Sequence, residues 1–151
     1  MLDALDKKAL AHLMHSGRAT WAELGQLLGL SAPAAAERVR KLEERRIIKH
    51  YAAIADPESL GLGLLAFVSV TLGSHRQRQG FLRAIAKIPP ITECHHIAGD
   101  ADYLLKIRCS GTKELDHILA VVLKEKLQVA STSTTIVLST AKESAALSLN
   151  S

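Results

Sequence analysis

Residues 20–42, TWAELGQLLGLSAPAAAERVRKL, constrain the fold more than any other part of the chain, because they predict two short helices joined by a tight turn. Thr20 and Glu23 have the spacing of a capping box, in which each side chain accepts the other residue's free backbone N–H. Gly29 tolerates the positive φ of a turn, and Ser31 can cap the second helix. Such a hairpin is typical of the helix-turn-helix that enters the major groove of DNA, although a plain helical hairpin with a solvated charged face has the same spacing.

The second helix of this hairpin has two different faces. Ala35, Val39 and Leu42 recur at helical spacing and are predicted to face the core. The outward face begins with small residues and continues with cations, and residues 37–50 contain six Lys or Arg against three Glu. Small residues let a helix enter the groove deeply, while basic residues reach phosphates on either side. The residues predicted to contact double-stranded DNA are Ser31, Ala32, Pro33, Ala36, Glu37, Arg38, Arg40, Lys41, Arg45 and Lys49.

The start of the second helix limits how a base sequence is recognised. Its small side chains can touch thymine methyl groups but cannot form paired hydrogen bonds with base edges. We therefore expect a degenerate, A·T-rich preference that is helped by bending of the DNA. In this hypothesis Arg40 contacts a base, and Arg38 and Lys41 contact phosphates. The small residues are Ala32, Pro33, Ala34 and Ala36.

Composition narrows the class of protein. The chain of 151 residues is 48% hydrophobic and only 3% aromatic, which indicates an aliphatic, well-packed globule, and its net charge of +4 favours an anionic partner only weakly. No run reaches the ~18 apolar residues of a membrane span, and Asp3 and Asp6 stand where a signal peptide would be basic, so we expect a cytoplasmic protein. Cys94 and Cys109 are too few and too widely spaced for a zinc ribbon or a disulfide framework, which predicts free thiols, no metal and no cofactor.

The rest of the chain predicts a third helix and then a mixed α/β domain. An apolar helical stripe begins near Asp3 and precedes the hairpin. Strands are predicted at residues 64–72, 91–97, 103–109 and 132–140, and helices at residues 77–88 and 112–126. The order βαββαβ is that of a ferredoxin-like sandwich, an antiparallel sheet with two helices on one face. Its other face needs cover, which predicts a homodimer formed through the sheets.

A change of composition at residues 56–63 gives the domain boundary. Residues 47–54 are β-rich, and the next residues contain Pro and Gly in the pattern of a hinge. The predicted division is residues 1–50 for a DNA-binding domain, 51–63 for a β-strand and hinge linker, 64–141 for the ferredoxin-like domain, and 142–151 for a C-terminal tail.

Five short motifs occur in a fixed order along the chain: Leu2-Asp3-Ala4-Leu5-Asp6-Lys7-Lys8-Ala9-Leu10, Glu23-Leu24, Gly29-Leu30-Ser31, Glu37-Arg38-Val39-Arg40-Lys41-Leu42-Glu43 and Glu93-Cys94-His95-His96-Ile97-Ala98-Gly99-Asp100-Ala101-Asp102-Tyr103-Leu104-Leu105-Lys106. Together they resemble the leucine-responsive/asparagine regulator (Lrp/AsnC) family of bacterial and archaeal transcription factors, over about residues 2–141. The resemblance implies an α+β protein with an N-terminal winged helix-turn-helix and a ferredoxin-like βαββαβ domain for effector binding and oligomerisation. It also implies dimers that assemble further into tetramers or octamers.

Members of that family typically bind a small amino acid between C-terminal domains, beside the turn that matches residues 99–102. The chemistry is reasonable, since Gly99 exposes backbone N–H groups to a carboxylate and Asp102 can accept hydrogen bonds from an α-ammonium. The same residues can also form a simple polar hairpin turn. The residues that the resemblance assigns to effector binding are His96, Gly99, Asp100, Ala101, Asp102, Thr134, Thr135 and Ile136.

Three positions depart from the family pattern. Arg46 stands where the family usually has the glycine that ends the recognition helix in a left-handed turn, so we expect this end to be reached differently, one residue later and with strain. His50 replaces another frequent glycine. Ala101 replaces a frequent Tyr or Phe, which enlarges or softens the pocket. Either the effector is bulkier than usual, or binding is weak or absent and the protein is an effector-independent regulator that organises DNA.

Two other classes of function have less support. A metal- or redox-responsive repressor would use Cys94, His95, His96 and Cys109, but adjacent residues on a strand point to opposite faces, so His95 and His96 should not bind one ion together. For an enzyme, the chain has no nucleophile–base pair at a recognisable spacing, and the carboxylates of the turn are better explained by ligand binding.

Overall fold

The structure, a computed structural model, describes residues 2–149 and divides into two compact units. One contains residues 2–54 together with residues 142–149, and the other contains Ala55–Ala141. The segment that we predicted as a C-terminal tail therefore has its contacts in the first unit, where the backbone N–H of Leu147 donates to Sδ of Met14 at 3.4 Å.

The N-terminal unit contains three helices, α1 (Ala4–His15), α2 (Trp21–Leu28) and α3 (Ala32–Glu44). A side-chain cap from Asp3, Thr20 or Ser31 begins each helix. Their apolar faces form one core, which includes Ala9, Leu13, Leu24, Leu28, Ala35 and Val39. The predicted inward face of α3 is confirmed, because Ala35 and Val39 are fully buried, and so is Leu42.

The segment after these helices differs from the prediction. We expected a wing beside the helices and a β-strand with a hinge at residues 51–63, but the structure shows no strand between residues 2 and 63. Instead the chain turns at residues 57–61, where the Asp56 carboxylate accepts the backbone N–H of Ser59 at 2.9 Å. A β-rich composition forms a strand only where a neighbouring strand shares its hydrogen bonds, and no strand of the described chain pairs with this segment.

The second unit forms the predicted ferredoxin-like fold. Its elements are β1 (Leu64–Thr71), a short 3₁₀ turn (His75–Gln77) leading into α4 (Arg78–Ile85), β2 (Ile91–His96), β3 (Tyr103–Cys109), α5 (Thr112–His117), which continues as a π-helix (Ile118–Lys126), and β4 (Ser131–Ile136). The strands form one antiparallel sheet in the order β2-β3-β1-β4. The last predicted helix is thus part α and part π, and the last strand ends four residues early.

The two faces of the sheet differ in exposure. Val68 and Leu105 lie on the face that packs against the helices and are fully buried. On the opposite face, Phe67 lies across from Lys106 on β3 and from Thr135 on β4, and all three remain at least partly exposed. This pattern is typical of an antiparallel sheet with one open face. The open face is the one through which we predicted dimerisation.

Candidate functional site

The turn between α2 and α3 has the geometry that the sequence predicted. The Thr20 backbone N–H donates to the Glu23 carboxylate at 2.6 Å, and the Glu23 N–H donates back to Thr20 Oγ1 at 3.2 Å. The Thr20 N–H, and then the Thr20 hydroxyl, which donates to the same carboxylate at 3.0 Å, lower the pKa of the Glu23 carboxyl. Gly29 has φ +68°, and Ser31 Oγ accepts the N–H of Ala34 at 3.3 Å. The hairpin is therefore held by local hydrogen bonds at each corner.

Gly25 is required by this hairpin, and our sequence reasoning did not identify it. A Cβ atom at this position would lie 2.8 Å from the carbonyl oxygen of Leu30 and 3.2 Å from the backbone nitrogen of Ala32. The Leu30 N–H also donates to the Gly25 carbonyl at 2.9 Å. Because α2 meets the turn through backbone atoms, only glycine fits without displacement. A glycine inside a helix, four residues before the turn glycine, was the available signal.

Arg38 is occupied within the protein, although we predicted a phosphate contact for it. Its Nη1 lies 2.6 Å from Oδ2 of Asp3 and 2.5 Å from Oδ1 of Asp6. These contacts raise the pKa of Arg38. The pKa of the Asp3 carboxyl is lowered by the Asp6 backbone N–H and then by Arg38. Because Asp6 is largely buried, Arg38 fixes α3 against the start of α1.

Arg40, the predicted base-contacting residue, is also paired in the free protein. Its Nε and Nη2 donate to the two carboxylate oxygens of Glu37 at 2.9 and 2.7 Å, and its Nη1 pairs with Glu44. Lys41 lies 3.7 Å from the same Glu37 carboxylate. All four side chains are about half exposed or more, so these pairs can exchange for DNA contacts at small cost. Arg45 and Lys49 are exposed beyond the end of α3.

The other predicted DNA contacts lie at the start of α3. Ser31, Pro33 and Glu37 are exposed, while Ala32 and Ala36 are partly exposed on the same helix. The structure thus brings the small residues and most of the cations onto one continuous helix and the residues that follow it.

The end of α3 corrects one expectation. The left-handed turn occurs at Arg46 itself, with φ +54°, and not one residue later. The N–H of Arg46 donates to the carbonyl of Glu43 at 2.8 Å, and that of Ile47 donates to Leu42 at 2.9 Å. These are the two hydrogen bonds of a Schellman motif, which terminates the helix even though its left-handed residue is not glycine.

The second candidate site is a cavity of about 220 Å³ at one end of the sheet. It lies where the loop after β1, the start of α4, the end of β2 and the start of β3 meet. Its lining carries one guanidinium, two imidazoles, one carboxylate and two hydroxyl-bearing side chains. The lining residues are Leu72, Ser74, His75, Arg78, His96, Asp102 and Tyr103.

Asp102 connects two of these elements. Its Oδ2 accepts the backbone N–H of Leu72 at 2.7 Å, and its own N–H donates to the carbonyl of Val70 at 2.9 Å. The N–H of Ile97 donates to the Asp102 carbonyl at 3.0 Å. One carboxylate oxygen therefore holds the loop after β1, while the carboxyl group still borders the cavity.

Tyr103 lines the same cavity and carries an unusual, fully buried hydroxyl. The residue is only 2% exposed, and its hydroxyl has no hydrogen-bond partner among the described residues. Its ring lies between that of Phe81, at a centroid distance of 5.1 Å, and that of His96, at 5.3 Å. Buried hydroxyl groups nearly always have a partner, so this one needs an explanation.

The remaining predicted effector residues do not border the cavity. Gly99, Asp100 and Ala101 form the turn next to it. Thr134 and Thr135 lie on opposite faces of β4, since Thr134 lies across from Val68 and Thr135 from Phe67. Ile136 shares the face of Thr134 and is 46% exposed. Of the eight predicted residues, only His96 and Asp102 border the cavity.

The geometry does not favour a metal or redox site. His95 lies on the open face of the sheet, 3.0 Å from Glu93, whereas His96 packs on Tyr103 on the helix face. Burial raises the pKa of both the Cys94 and Cys109 thiols, which makes them less reactive. Across residues 2–149, no three potential metal-ligating side chains lie close enough together to hold an ion.

No helix within residues 2–149 is both long and apolar enough to cross a membrane.

Comparison with known proteins gives matches along nearly the whole chain. Residues 2–43 match the AsnC-type helix-turn-helix domain, and residues 65–147 match the Lrp/AsnC ligand binding domain. The chain is 37% identical over 146 residues to the HTH-type transcriptional regulator FL11 of Pyrococcus horikoshii, covering 97% of this chain and 95% of that protein. It is 39% identical over 119 residues to the glutamate uptake regulatory protein of Zymomonas mobilis, covering 78% and 73%. A transcriptional regulator from Neisseria meningitidis, solved with L-methionine, superposes with a TM-score of 0.95 at 32% identity, covering 99% of this chain and 98% of that one.

Proposed function

The chain belongs to the Lrp/AsnC family of DNA-binding transcriptional regulators, and on this basis we propose that α3 binds degenerate sites on double-stranded DNA under the control of a small amino acid bound by the C-terminal unit. Members of this family are regulators and not enzymes. The observation that carries the effector proposal is a cavity that offers both signs of charge beside the predicted turn.

In the proposed DNA complex, α3 lies in the major groove with its small residues innermost. Arg40 exchanges its pairs with Glu37 and Glu44 for a base contact, while Lys41, Arg45 and Lys49 contact phosphates. Ser31, Ala32, Pro33 and Ala36 approach the groove at the N-terminus of the helix, where small side chains allow the closest contact. Arg38 does not contact phosphate in the proposed complex, because its guanidinium is already paired with Asp3 and Asp6.

In the proposed effector complex, Arg78 binds the α-carboxylate and the carboxyl of Asp102 accepts the α-ammonium. The backbone N–H groups of residues 99–101 lie in the adjacent turn and can add to the carboxylate site. Thr134, Thr135 and Ile136 do not border this cavity, so in the proposed complex they contact the effector from a second chain, between C-terminal domains. The neighbour from Neisseria meningitidis, which holds L-methionine, supports an amino acid as the ligand class.

We propose that the open face of the sheet pairs two chains in the cytoplasm, and that dimers assemble further into tetramers or octamers. Paired recognition helices then contact half-sites about one or more helical turns apart. An amino acid shifts this assembly only by its different affinity for the two states. Residues 51–63 serve as the linker between the DNA-binding and ligand-binding domains.

The test is thermal melting of the full chain with each of the twenty amino acids, combined with DNA binding by gel shift. A ligand at 100 times its Kd stabilises the native state by about 2.7 kcal/mol, which shifts the melting point of a small domain by roughly 10 °C or more. Asp102→Asn should abolish this shift and leave effector-free DNA binding intact, whereas Arg40→Ala should do the reverse. Asp116→Asn, an exposed carboxylate on α5, is the matched control.

Two outcomes would contradict the proposal in different ways. If none of the twenty amino acids shifted the melting point of a folded, DNA-binding protein, the protein would be an effector-independent regulator, the alternative that Ala101 suggested. If Asp102→Asn and Arg40→Ala each abolished both activities, loss of folding would explain the results better than separate binding roles.

A further inference from the structure

We propose that this cavity selects an amino acid whose side chain ends in a hydrogen-bond acceptor, a carboxylate or carboxamide, and that the Tyr103 hydroxyl is the group that recognises it. The inference rests on the proposed effector function and names the ligand class for that site. Aspartate, asparagine, glutamate and glutamine belong to the class, whereas leucine and methionine do not.

The two charged groups of the cavity, Arg78 and Asp102, would bind the α-carboxylate and the α-ammonium group that every amino acid carries. Arg78 supplies a cation at the start of α4, and Asp102 supplies a carboxylate of which one oxygen already accepts the Leu72 N–H. A carboxylate and an ammonium on the ligand would occupy these two groups. They therefore fix the orientation of an amino acid but do not distinguish one side chain from another.

The size of the cavity does not distinguish side chains either. A volume of about 220 Å³ corresponds to roughly seven liquid waters, which is the scale of a small amino acid. Glutamate, asparagine, leucine and methionine all meet this limit. Selectivity must therefore come from the polarity of the wall that the side chain meets.

Ser74, His75 and His96 are exposed, so water can pair with them whichever ligand binds, whereas Tyr103 supplies a polar group that has no other partner among the described residues. Its hydroxyl is buried without a partner, although the ring itself packs well between Phe81 and His96 and a phenylalanine would pack in the same way. The hydroxyl has almost no exposed surface, so a ligand reaches it by displacing the exposed His96 ring that packs on Tyr103. An acceptor that arrives there would pair with the hydroxyl, whereas an aliphatic side chain would leave it unpaired. Sites that hold a polar group for a ligand reject analogues lacking the matching group far more strongly than apolar pockets reject a change in size.

The experiment is calorimetric titration of the full chain with L-aspartate, L-asparagine, L-glutamate and L-glutamine, and with L-leucine and L-methionine. We expect at least one acceptor-bearing amino acid to bind ten-fold or more tightly than either aliphatic one. Comparison of the acids with their amides identifies which acceptor is preferred. Tyr103→Phe should weaken that ligand about ten-fold, and should leave the melting point of the ligand-free protein unchanged or higher because an unpaired buried hydroxyl is removed.

Matched variants separate recognition from folding. Tyr51→Phe removes the other tyrosine hydroxyl, which donates to Glu43 in the N-terminal unit, and should not change ligand affinity. Arg78→Gln should weaken all amino acids alike, while Arg76→Gln, whose side chain does not border the cavity, should weaken none.

Tighter binding of leucine or methionine that depends on Asp102 would overturn this inference while leaving the proposed function in place. Unchanged affinity in a folded Tyr103→Phe variant would also overturn it. If no amino acid binds, both this inference and the proposed effector response fail. Should Tyr103→Phe not fold, the ratio of affinities measured on the unaltered chain still decides.

Discussion

Replacing Arg46 by glycine should stabilise the N-terminal unit, even though it removes a whole side chain. Arg46 has φ +54°, a left-handed conformation that costs an L residue about 1–2 kcal/mol. Glycine avoids this cost but loses about 0.5–1 kcal/mol more conformational entropy on folding. Both Schellman hydrogen bonds are formed by backbone atoms and remain, and the Arg46 side chain is exposed. At the midpoints of these ranges the net gain is about 0.75 kcal/mol in the free energy of unfolding.

Arg45→Gly is a control matched in charge and composition. Arg45 has φ −77°, where glycine relieves nothing and only loses entropy, so this variant should be less stable by about 0.5–1 kcal/mol. Urea unfolding followed by tryptophan fluorescence measures the effect, because Trp21, the single tryptophan, lies in the same unit. The two variants should shift the midpoint in opposite directions. A shift of the same sign and size in both would refute the argument from backbone conformation.

Four further outcomes follow from the structure. Arg38→Met should lower the stability of the N-terminal unit by about 2 kcal/mol, since it leaves the largely buried Asp6 carboxylate without its cation. The slope of log affinity against log salt is negative, and its magnitude should decrease by about 1 per recognition helix in Lys49→Gln. It should stay unchanged in a folded Arg38 variant. Asp102→Ala should be about 1 kcal/mol less stable than Asp102→Asn on heating, because alanine cannot accept the loop N–H. The Glu23 carboxyl has its pKa lowered below 4.5 by the cap, so its stabilisation is present above that pH and is lost as the pH falls through the folded pKa; Glu23→Gln should reduce this acid sensitivity in circular dichroism titrations.

The helical hairpin could be predicted in detail because its signals are local. Thr20, Gly29 and Ser31 each act on backbone groups within three residues, so their spacing in the sequence already contains the geometry. The pairing of Arg38 with Asp6 joins residues 32 positions apart, and nothing in the local pattern specifies it. The strand predicted within residues 51–63 is absent for a related reason. Composition favours a strand, but a strand forms only beside a neighbouring strand that shares its hydrogen bonds.

The cavity was only partly predictable. The turn near Asp102 was identified through the family resemblance, but Arg78 and Ser74 come from a helix start and a loop 24 and 28 residues earlier in the chain. The sheet register brings the end of β1 beside the start of β3, and only this pairing places Arg78 near the turn. Tyr103 follows an alternating strand pattern, which predicts burial but cannot predict that its hydroxyl lacks a partner.

Counting cations overstates the number that can contact DNA. Residues 37–50 carry six Lys or Arg, and six phosphate contacts would give a salt slope of about −5 per recognition helix. Arg38 is held by Asp3 and Asp6, and Arg40 contacts a base and not a phosphate in the proposed complex. A slope nearer −3 or −4 is therefore expected, because part of the charge density that indicated DNA binding serves to place the recognition helix. The acidic residues of this segment limit how many of its cations contact phosphates. Non-specific binding to DNA is therefore weaker, and the proposed base contact contributes a larger share of the total affinity.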